Sequence, residues 1–299
     1  MTAQTALRTP FAPFRPPVPP LGRVPARLLR PAVTHAVLNF LKPMAERPYS
    51  YQVEPPAGVP PRNGVDEPHV VAIRDARPLA VDLSLDEAGF ELLQAPTAFA
   101  SFDDPHAIGS AYYAEVERLL GAATGAQRVI AFDHNVRNAG RAAGGEAGIR
   151  GPVPRTHNDF TAKSGPERAR AELEARGIDP LALEGRHYAI VNLWRPIGRR
   201  VETWPLALAD ARSLAPGDWV ESDLIYADRT GETYALGFSP GQAWYYFPLL
   251  APDEAILIKG YDSATDVARF TPHSAFEDPA SPPDAPERES IEVRTLVIY

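Results

Sequence analysis

Thirty-three prolines are scattered along this chain of 299 residues, and they weigh against any fold built from long helices. An interior proline removes a backbone donor and drives its ring into the preceding helical turn. The density is roughly twice ordinary usage. What the prolines leave intact is short. Beyond residue 186 they alternate, together with Gly and Asp, with eight runs rich in β-branched and aromatic residues: 187–194, 203–208, 219–226, 232–238, 243–247, 255–259, 268–272 and 290–298. Short runs at that spacing read as a β-sandwich or barrel. Arg229-Thr230-Gly231 and Pro252-Asp253-Glu254 are the hairpin signals between them.

Upstream, residues 36–62 hold a short apolar stretch and then Tyr49, Tyr51, Pro55, Pro56, Pro60 and Pro61, which reads as an extended strap. A strand is expected over 69–73, a helical pattern around 83–93, a helix over 107–120 and a strand over 129–133. Five glycines in the 13 residues from 139 to 151 suggest a mobile loop, and 166–176 a helix with a solvated face. Loop and helix together are candidates for a lid. No fixed-period repeat and no long linker divides the chain. The expectation is therefore a Pro-rich arm and strap over 1–62, a candidate dimerisation element for a homodimer, and one mainly β domain with flanking helices over 63–299.

Charge and composition narrow the partners. The formal net charge is -8 and no Lys/Arg stripe runs along any segment, so neither nucleic acid nor an anionic membrane has electrostatic support. A small molecule is the expected partner. The first 35 residues lack the unbroken apolar core of a signal peptide, and no run is long and apolar enough to span a bilayer, which together suggest a cytoplasmic protein. With no cysteine, thiolate catalysis and Cys-ligated metals are excluded, and any metal must be held by His and carboxylate.

Of seven histidines, only one is followed two residues later by an acid: His157-Asn158-Asp159. Positions i and i+2 of an extended strand share a face, so an imidazole nitrogen and a carboxylate oxygen can converge there. Taken alone, the pair is a weak signal. A third ligand from a distant strand, for which His273 is the candidate, completes a two-histidine, one-carboxylate face that leaves positions of an octahedral iron(II) open. Downstream, Arg288-Glu289-Ser290 opens the last run, where a guanidinium forked onto a carboxylate with a hydroxyl alongside suits a dicarboxylate cosubstrate. Arg294 lies on the same strand face and is the alternative anchor. This order of groups fits an iron oxygenase that uses 2-oxoglutarate and dioxygen.

The runs His157-Asn158-Asp159-Phe160-Thr161, Asn192-Leu193-Trp194-Arg195-Pro196, Trp204-Pro205-Leu206-Ala207-Leu208-Ala209-Asp210, Trp244-Tyr245-Tyr246-Phe247-Pro248, Lys259-Gly260-Tyr261-Asp262-Ser263 and His273-Ser274-Ala275-Phe276-Glu277-Asp278-Pro279 resemble the hydroxylase/desaturase family. That family includes AsaB-like and gibberellin-desaturase-like fungal proteins and the CmcJ-like bacterial proteins of cephamycin methoxylation. The resemblance extends from about residue 45 onward. It implies a double-stranded β-helix, or jelly-roll, oxygenase of the iron(II)/2-oxoglutarate type that hydroxylates or desaturates a secondary metabolite. Carried over, it implies His157, Asp159 and His273 as the catalytic metal triad and Arg288 with Ser290 as the cosubstrate anchor. Where the pattern has Pro-Arg-x-Ser, this chain has Glu287-Arg288-Glu289-Ser290, and the flanking acids are potential competitors for Arg288.

Trp194, Arg195, Tyr245 and Tyr246 are candidate substrate-pocket residues, although large aromatics in a β-rich domain are more often core. Asn192 and Arg195 are candidates for contact with cosubstrate or substrate, and Lys259 with Asp262 reads as a structural turn. Two other readings stand beside the oxygenase. One is a catalytically silent jelly-roll that binds a metabolite or supports a partner. The other is an S-adenosylmethionine methyltransferase, prompted by Gly140, Gly144, Gly145 and Gly148, although Pro152 and Pro154 occupy the place where its helix belongs.

Overall fold

The computed structural model describes residues 30–299. Four strands come first: β1 (Val33–Leu41), β2 (Tyr49–Tyr51), β3 (Asp66–Asp75) and β4 (Phe90–Gln94). The Asp104 carboxylate then accepts from the His106 and Ala107 N–H groups and caps α1 (Pro105–Ala107). A π-helical turn, Ile108–Tyr112, continues into α2 (Tyr113–Thr124), which Gly125 ends in the left-handed conformation. Then follow β5 (Arg128–Asn138), α3 (Ala139–Ala143), β6 (Ile149–Arg150), β7 (His157–Asn158) and α4 (Ser164–Glu174). The remaining strands are β8 (Tyr188–Pro196), β9 (Leu206–Ala209), β10 (Trp219–Ile225), β11 (Thr230–Leu236), β12 (Trp244–Tyr246), β13 (Glu254–Asp262), β14 (His273–Ala275) and β15 (Glu289–Ile298).

The strands make two sheets, one of nine in the order β1-β3-β12-β9-β14-β7-β11-β10-β2 and one of six in the order β4-β13-β8-β15-β5-β6. Most neighbours are antiparallel, and the sheets face each other as a jelly-roll. Phe90, Trp194, Ile256 and Ile258 of the six-stranded sheet pack on Leu206 and Leu208 of the nine-stranded one. The outer face of the smaller sheet is covered by Tyr112, Val116 and Leu120, which bury Val191, Leu193, Ile291 and Val293.

Alternation along β8 and β15 fixes what points inward. With Leu193 and Val293 turned to α2, a period of two turns Asn192 and Trp194, and Ser290, Glu292 and Arg294, to the space between the sheets. Polar residues on an inward face carry a desolvation cost unless they are paired or used.

Several expectations are corrected at the level of elements. Part of the strap over 36–62 is a regular strand: β1 alternates exposed Val33, His35 and Val37 with buried Thr34, Ala36, Leu38 and Phe40, and pairs along its whole length with β3. The helix around 83–93 is a turn followed by β4. Leu83, Leu85 and Ala88 are buried, but Gly89 reverses the chain at φ 83°, and its carbonyl accepts from Thr271 Oγ1 at 2.7 Å. No strand forms over 268–272; β14 begins at His273. Arg229-Thr230-Gly231 does join a hairpin, β10 to β11, whereas Pro252-Asp253-Glu254 carries the chain from one sheet to the other. The glycine-rich segment is not a bare loop, because it contains α3 and β6, with the Asn138 side chain capping α3. The arm before residue 30, and with it that part of the dimerisation expectation, lies outside the described residues. Among the described residues no helix is long and apolar enough to cross a membrane.

Helix α4 is docked rather than loose. Ala169 and Leu173 pack with Ile190, Leu296 and Tyr261, and an added Cβ at Gly165 would stand 2.4 Å from Tyr261 Cγ. Gly165→Ala is therefore expected to destabilise the fold by about 1–3 kcal/mol through overpacking, which urea denaturation measures.

Candidate metal centre

Cross-strand pairing brings the two histidines together. In the nine-stranded sheet β7 lies beside β14, and His157 stands directly opposite His273. Opposed residues of an antiparallel pair share a face, and here the ring centroids are 4.6 Å apart. Asp159, just past the end of β7, places Oδ1 3.8 Å from His157 Nε2. One donor atom from each of His157, Asp159 and His273 lies within 4.8 Å of the others.

Asn158, the residue between them, points the other way and fixes this geometry. It is fully buried; its Nδ2 donates to Gly260 O at 2.8 Å and its Oδ1 accepts from Thr271 N at 3.0 Å. The segment carrying the first two donors is thereby tied to the backbone two residues before the third.

Both imidazoles are oriented in the same manner. His157 Nδ1 is 2.9 Å from Arg155 O, and His273 Nδ1 is 3.1 Å from Thr271 O. A carbonyl can only accept, so each Nδ1 carries a proton, which leaves Nε2 as the nitrogen each ring can offer to a metal. Burial, reinforced by His273, pushes His157 down to about 3, which keeps its imidazole neutral. Burial alone would push the Asp159 carboxyl up, but Arg294 and the two histidines hold it well below the usual carboxylate range.

Asp159 is anchored through one oxygen. Its Oδ2 accepts from Arg294 Nε at 2.8 Å and from Asn192 Nδ2 at 2.7 Å, which leaves Oδ1 facing His157. Arg294 also reaches Asp133 at 3.0 Å and Glu292 at 3.5 Å, and Asn192 donates to Glu292 Oε1 at 3.0 Å. Arg294 and Asn192, expected as cosubstrate contacts, both hold the Asp159 carboxylate. For Arg294 the physical reason is charge: three carboxylates already surround its guanidinium.

Arg288 is in the opposite condition. It is buried, it stacks 5.4 Å from the Trp194 ring, and its Nη1 donates to the carbonyl of Trp204, a residue held at a left-handed φ of 47°. Its Nε and the Ser290 hydroxyl make no hydrogen bond among the described residues. Burial, then the nearby Arg137, lower Arg288 to about 9. The flanking acids do not compete for it. Glu287 accepts from Gly140 N at 2.7 Å and Glu289 from Arg141, so the glycine-rich segment draws both away. His157, His273, Arg288, Trp194, Arg137 and Glu292 line one small cavity, with Leu206 and Ala275 as apolar wall.

Three expected pocket residues lie elsewhere. Arg195 is fully buried on the opposite face of β8, where it donates to Pro252 O and lies 3.8 Å from Glu115, because an odd position on that strand must face α2. Tyr246 packs on Phe276 in the outer core of the nine-stranded sheet. Tyr245 packs against Phe90, separated from β14 by β9. Trp194 does line the cavity. Lys259 and Asp262, expected to make a turn, both lie on β13, where they form a buried ion pair at 2.5 Å. Sequence reasoning missed Arg137, Glu292, Asn158 and the Trp204 carbonyl. The alternation along β15 could have pointed to Glu292; Arg137 becomes visible only once β5 is paired with β15 opposite Ser290.

Comparison with known proteins agrees with this geometry. Residues 38–298 match a family model described as an oxidoreductase/YMDC permease-like domain. The chain is 34% identical over 257 residues, 83% of this chain and 89% of the other, to the Fe(II)/2-oxoglutarate-dependent dioxygenase nvfI of Aspergillus novofumigatus. It is 32% identical over 253 residues, 77% of this chain and 83% of the other, to the hydroxylase/desaturase efuI of Hormonema carpetanum. Among solved structures, the iron and alpha-ketoglutarate-dependent endoperoxidase NvfI superposes with a TM-score of 0.80 at 30% identity, covering 89% of this chain and 98% of that one. A methyltransferase finds no support in a jelly-roll, and a silent jelly-roll finds none in these similarities.

Proposed function

The chain belongs to the hydroxylase/desaturase family of iron(II)- and 2-oxoglutarate-dependent dioxygenases, and on that premise we propose that it hydroxylates or desaturates a small-molecule secondary metabolite at an iron held by His157, Asp159 and His273. The observation that carries the reading is the convergence of two imidazole nitrogens and one carboxylate oxygen beside a buried guanidinium that forms no ion pair among the described residues. Two nitrogens and one oxygen on one face suit iron(II) and leave coordination positions free.

Bound iron(II) supplies the coupling of 2-oxo acid decarboxylation by dioxygen to oxidation of a substrate C–H bond. The chain's share is positioning. Carbonyls at Arg155 and Thr271 hold the two imidazoles as Nε2 donors, and Arg294 with Asn192 holds Asp159 so that it offers one oxygen. Arg288 and Ser290 take the distal carboxylate of the cosubstrate: the guanidinium forks onto it and the hydroxyl donates alongside. Trp194, Leu206 and Ala275 exclude water around that contact.

Anaerobic addition of iron(II) and then 2-oxoglutarate is expected to produce a weak visible charge-transfer band. Folded protein that develops no band contradicts the reading. Arg288→Ala is expected to weaken 2-oxoglutarate binding roughly 100-fold in the same titration, the cost of removing one partner of a buried charge pair, while iron(II) affinity stays near wild type. Equal loss of both affinities contradicts the anchor.

A further inference from the structure

One charged group facing the cavity is not used by this scheme. Arg137 on β5 stands directly across from Ser290 in the register with β15, and lines the same cavity as Arg288 and both histidines. Its Nη1 donates to Gly151 O at 2.9 Å, and it forms no ion pair among the described residues. The carboxylate that both Arg137 and Arg288 feel is Glu292, whose oxygens are engaged by Asn192 and Arg294. Burial lowers both guanidiniums, which marks them as charges without adequate compensation.

Charge counting says what compensates them. Arg137, Arg150, Arg288 and Arg294 meet three carboxylates, Asp133, Asp159 and Glu292, so these groups carry no excess negative charge before the divalent metal is added. The ligand such a site favours is a dianion. A 2-oxo dicarboxylate meets that requirement and a 2-oxo monocarboxylate does not. A carboxylate also has about four lone-pair sites, enough to accept from two guanidiniums and a hydroxyl together.

We propose that Arg137 is a second guanidinium on the distal carboxylate, closing a clamp with Arg288 and Ser290 that selects 2-oxo dicarboxylates over 2-oxo monocarboxylates. The inference rests on the reading that a 2-oxo acid enters this cavity. Each guanidinium supplies a charge-assisted contact that a monoanion cannot make, and leaving either unpaired in a buried site is costly.

The test is anaerobic calorimetry of the iron(II)-loaded protein with 2-oxoglutarate and 2-oxopentanoate as probes. Wild type is expected to bind 2-oxoglutarate at least about 100-fold more tightly than 2-oxopentanoate, more than a single exposed ion pair can give. Arg137→Gln is expected to lose about 30-fold for 2-oxoglutarate and under about threefold for 2-oxopentanoate. Arg137→Lys keeps the charge without the fork and is expected to lose roughly fivefold for 2-oxoglutarate. It serves as the deciding variant if the melting curve of Arg137→Gln shows that it does not fold. A folded Arg137→Gln within about threefold of wild type for 2-oxoglutarate, or in its place an Arg137→Lys of unchanged affinity, overturns the clamp. The underlying reading fails separately: wild type then binds neither probe. If Arg288→Gln loses 2-oxoglutarate and Arg137→Gln does not, the anchor stands and only the clamp falls.

Discussion

Asp159→Ala is expected to abolish iron(II) binding, with an affinity loss well beyond the 10- to 100-fold that follows removal of an outer hydrogen-bond partner. The carboxylate is the only charged donor of the triad, so it supplies most of the electrostatic attraction for a dication. The two imidazoles remain as a pair, too few to hold iron(II) against water. The fold is expected to survive. Arg294 keeps Asp133 and Glu292 as partners, and Asn192 keeps Glu292, so no buried charge is stranded. Equilibrium dialysis against iron(II), with circular dichroism as the control for folding, reads both halves. Retention of wild-type metal affinity would remove Asp159 from the site.

Arg294→Met is expected to have the largest effect on stability. It strands Asp159, just past β7 of the nine-stranded sheet, and Glu292, on the inner face of the six-stranded one, and removing one member of a buried ion network costs about 3–5 kcal/mol. Metal affinity is expected to fall as well, by about 10- to 100-fold, because Asp159 loses the donor that fixes its Oδ2. Arg288→Ala makes the contrast. That guanidinium forms no ion pair among the described residues, so urea denaturation is expected to show little loss of stability while cosubstrate binding collapses. Two arginines six positions apart, one just before β15 and one on it, therefore separate by assay. One bonds the Asp159 carboxylate; the other is the proposed anchor for an anion. A stable Arg294→Met with intact metal binding would show that Asp159 does not depend on the network.

The difference between these arginines marks where the sequence stops being informative. Period-two alternation in residues 290–298 puts 288, 290, 292 and 294 on one face. It does not say which partners arrive from β5, β7 and β8, because that depends on pairing across sequence separations of more than a hundred residues. His157 and His273 were legible as candidate ligands because a His-x-Asp and a late His carry chemistry in their types. Arg137 was not, since an arginine in an ordinary strand reads as a solvated residue until Ser290 is found opposite it.

Arg195 failed for the complementary reason. The resemblance covers the whole of Asn192-Leu193-Trp194-Arg195, but a strand sends alternate residues to opposite faces, and α2 covers the face that Arg195 shares with Leu193. The strand content beyond residue 186 was legible because β-branched runs and their proline boundaries are local signals. The helical spacing at 83–93 misled because a turn buries Leu83 and Ala88 in the inner core and Leu85 in the cluster beneath α2, with no helical period involved.

Everything in this account depends on His157, Asp159 and His273 holding one metal ion. The most direct measurement is a crystal structure of the protein loaded with iron(II) under anaerobic conditions. The account expects one ion at about 2.0–2.3 Å from Nε2 of His157, Nε2 of His273 and Oδ1 of Asp159, with Asp159 Oδ2 still bonded to Arg294. Iron bound by another set of residues, or through Nδ1 of either histidine, would contradict it.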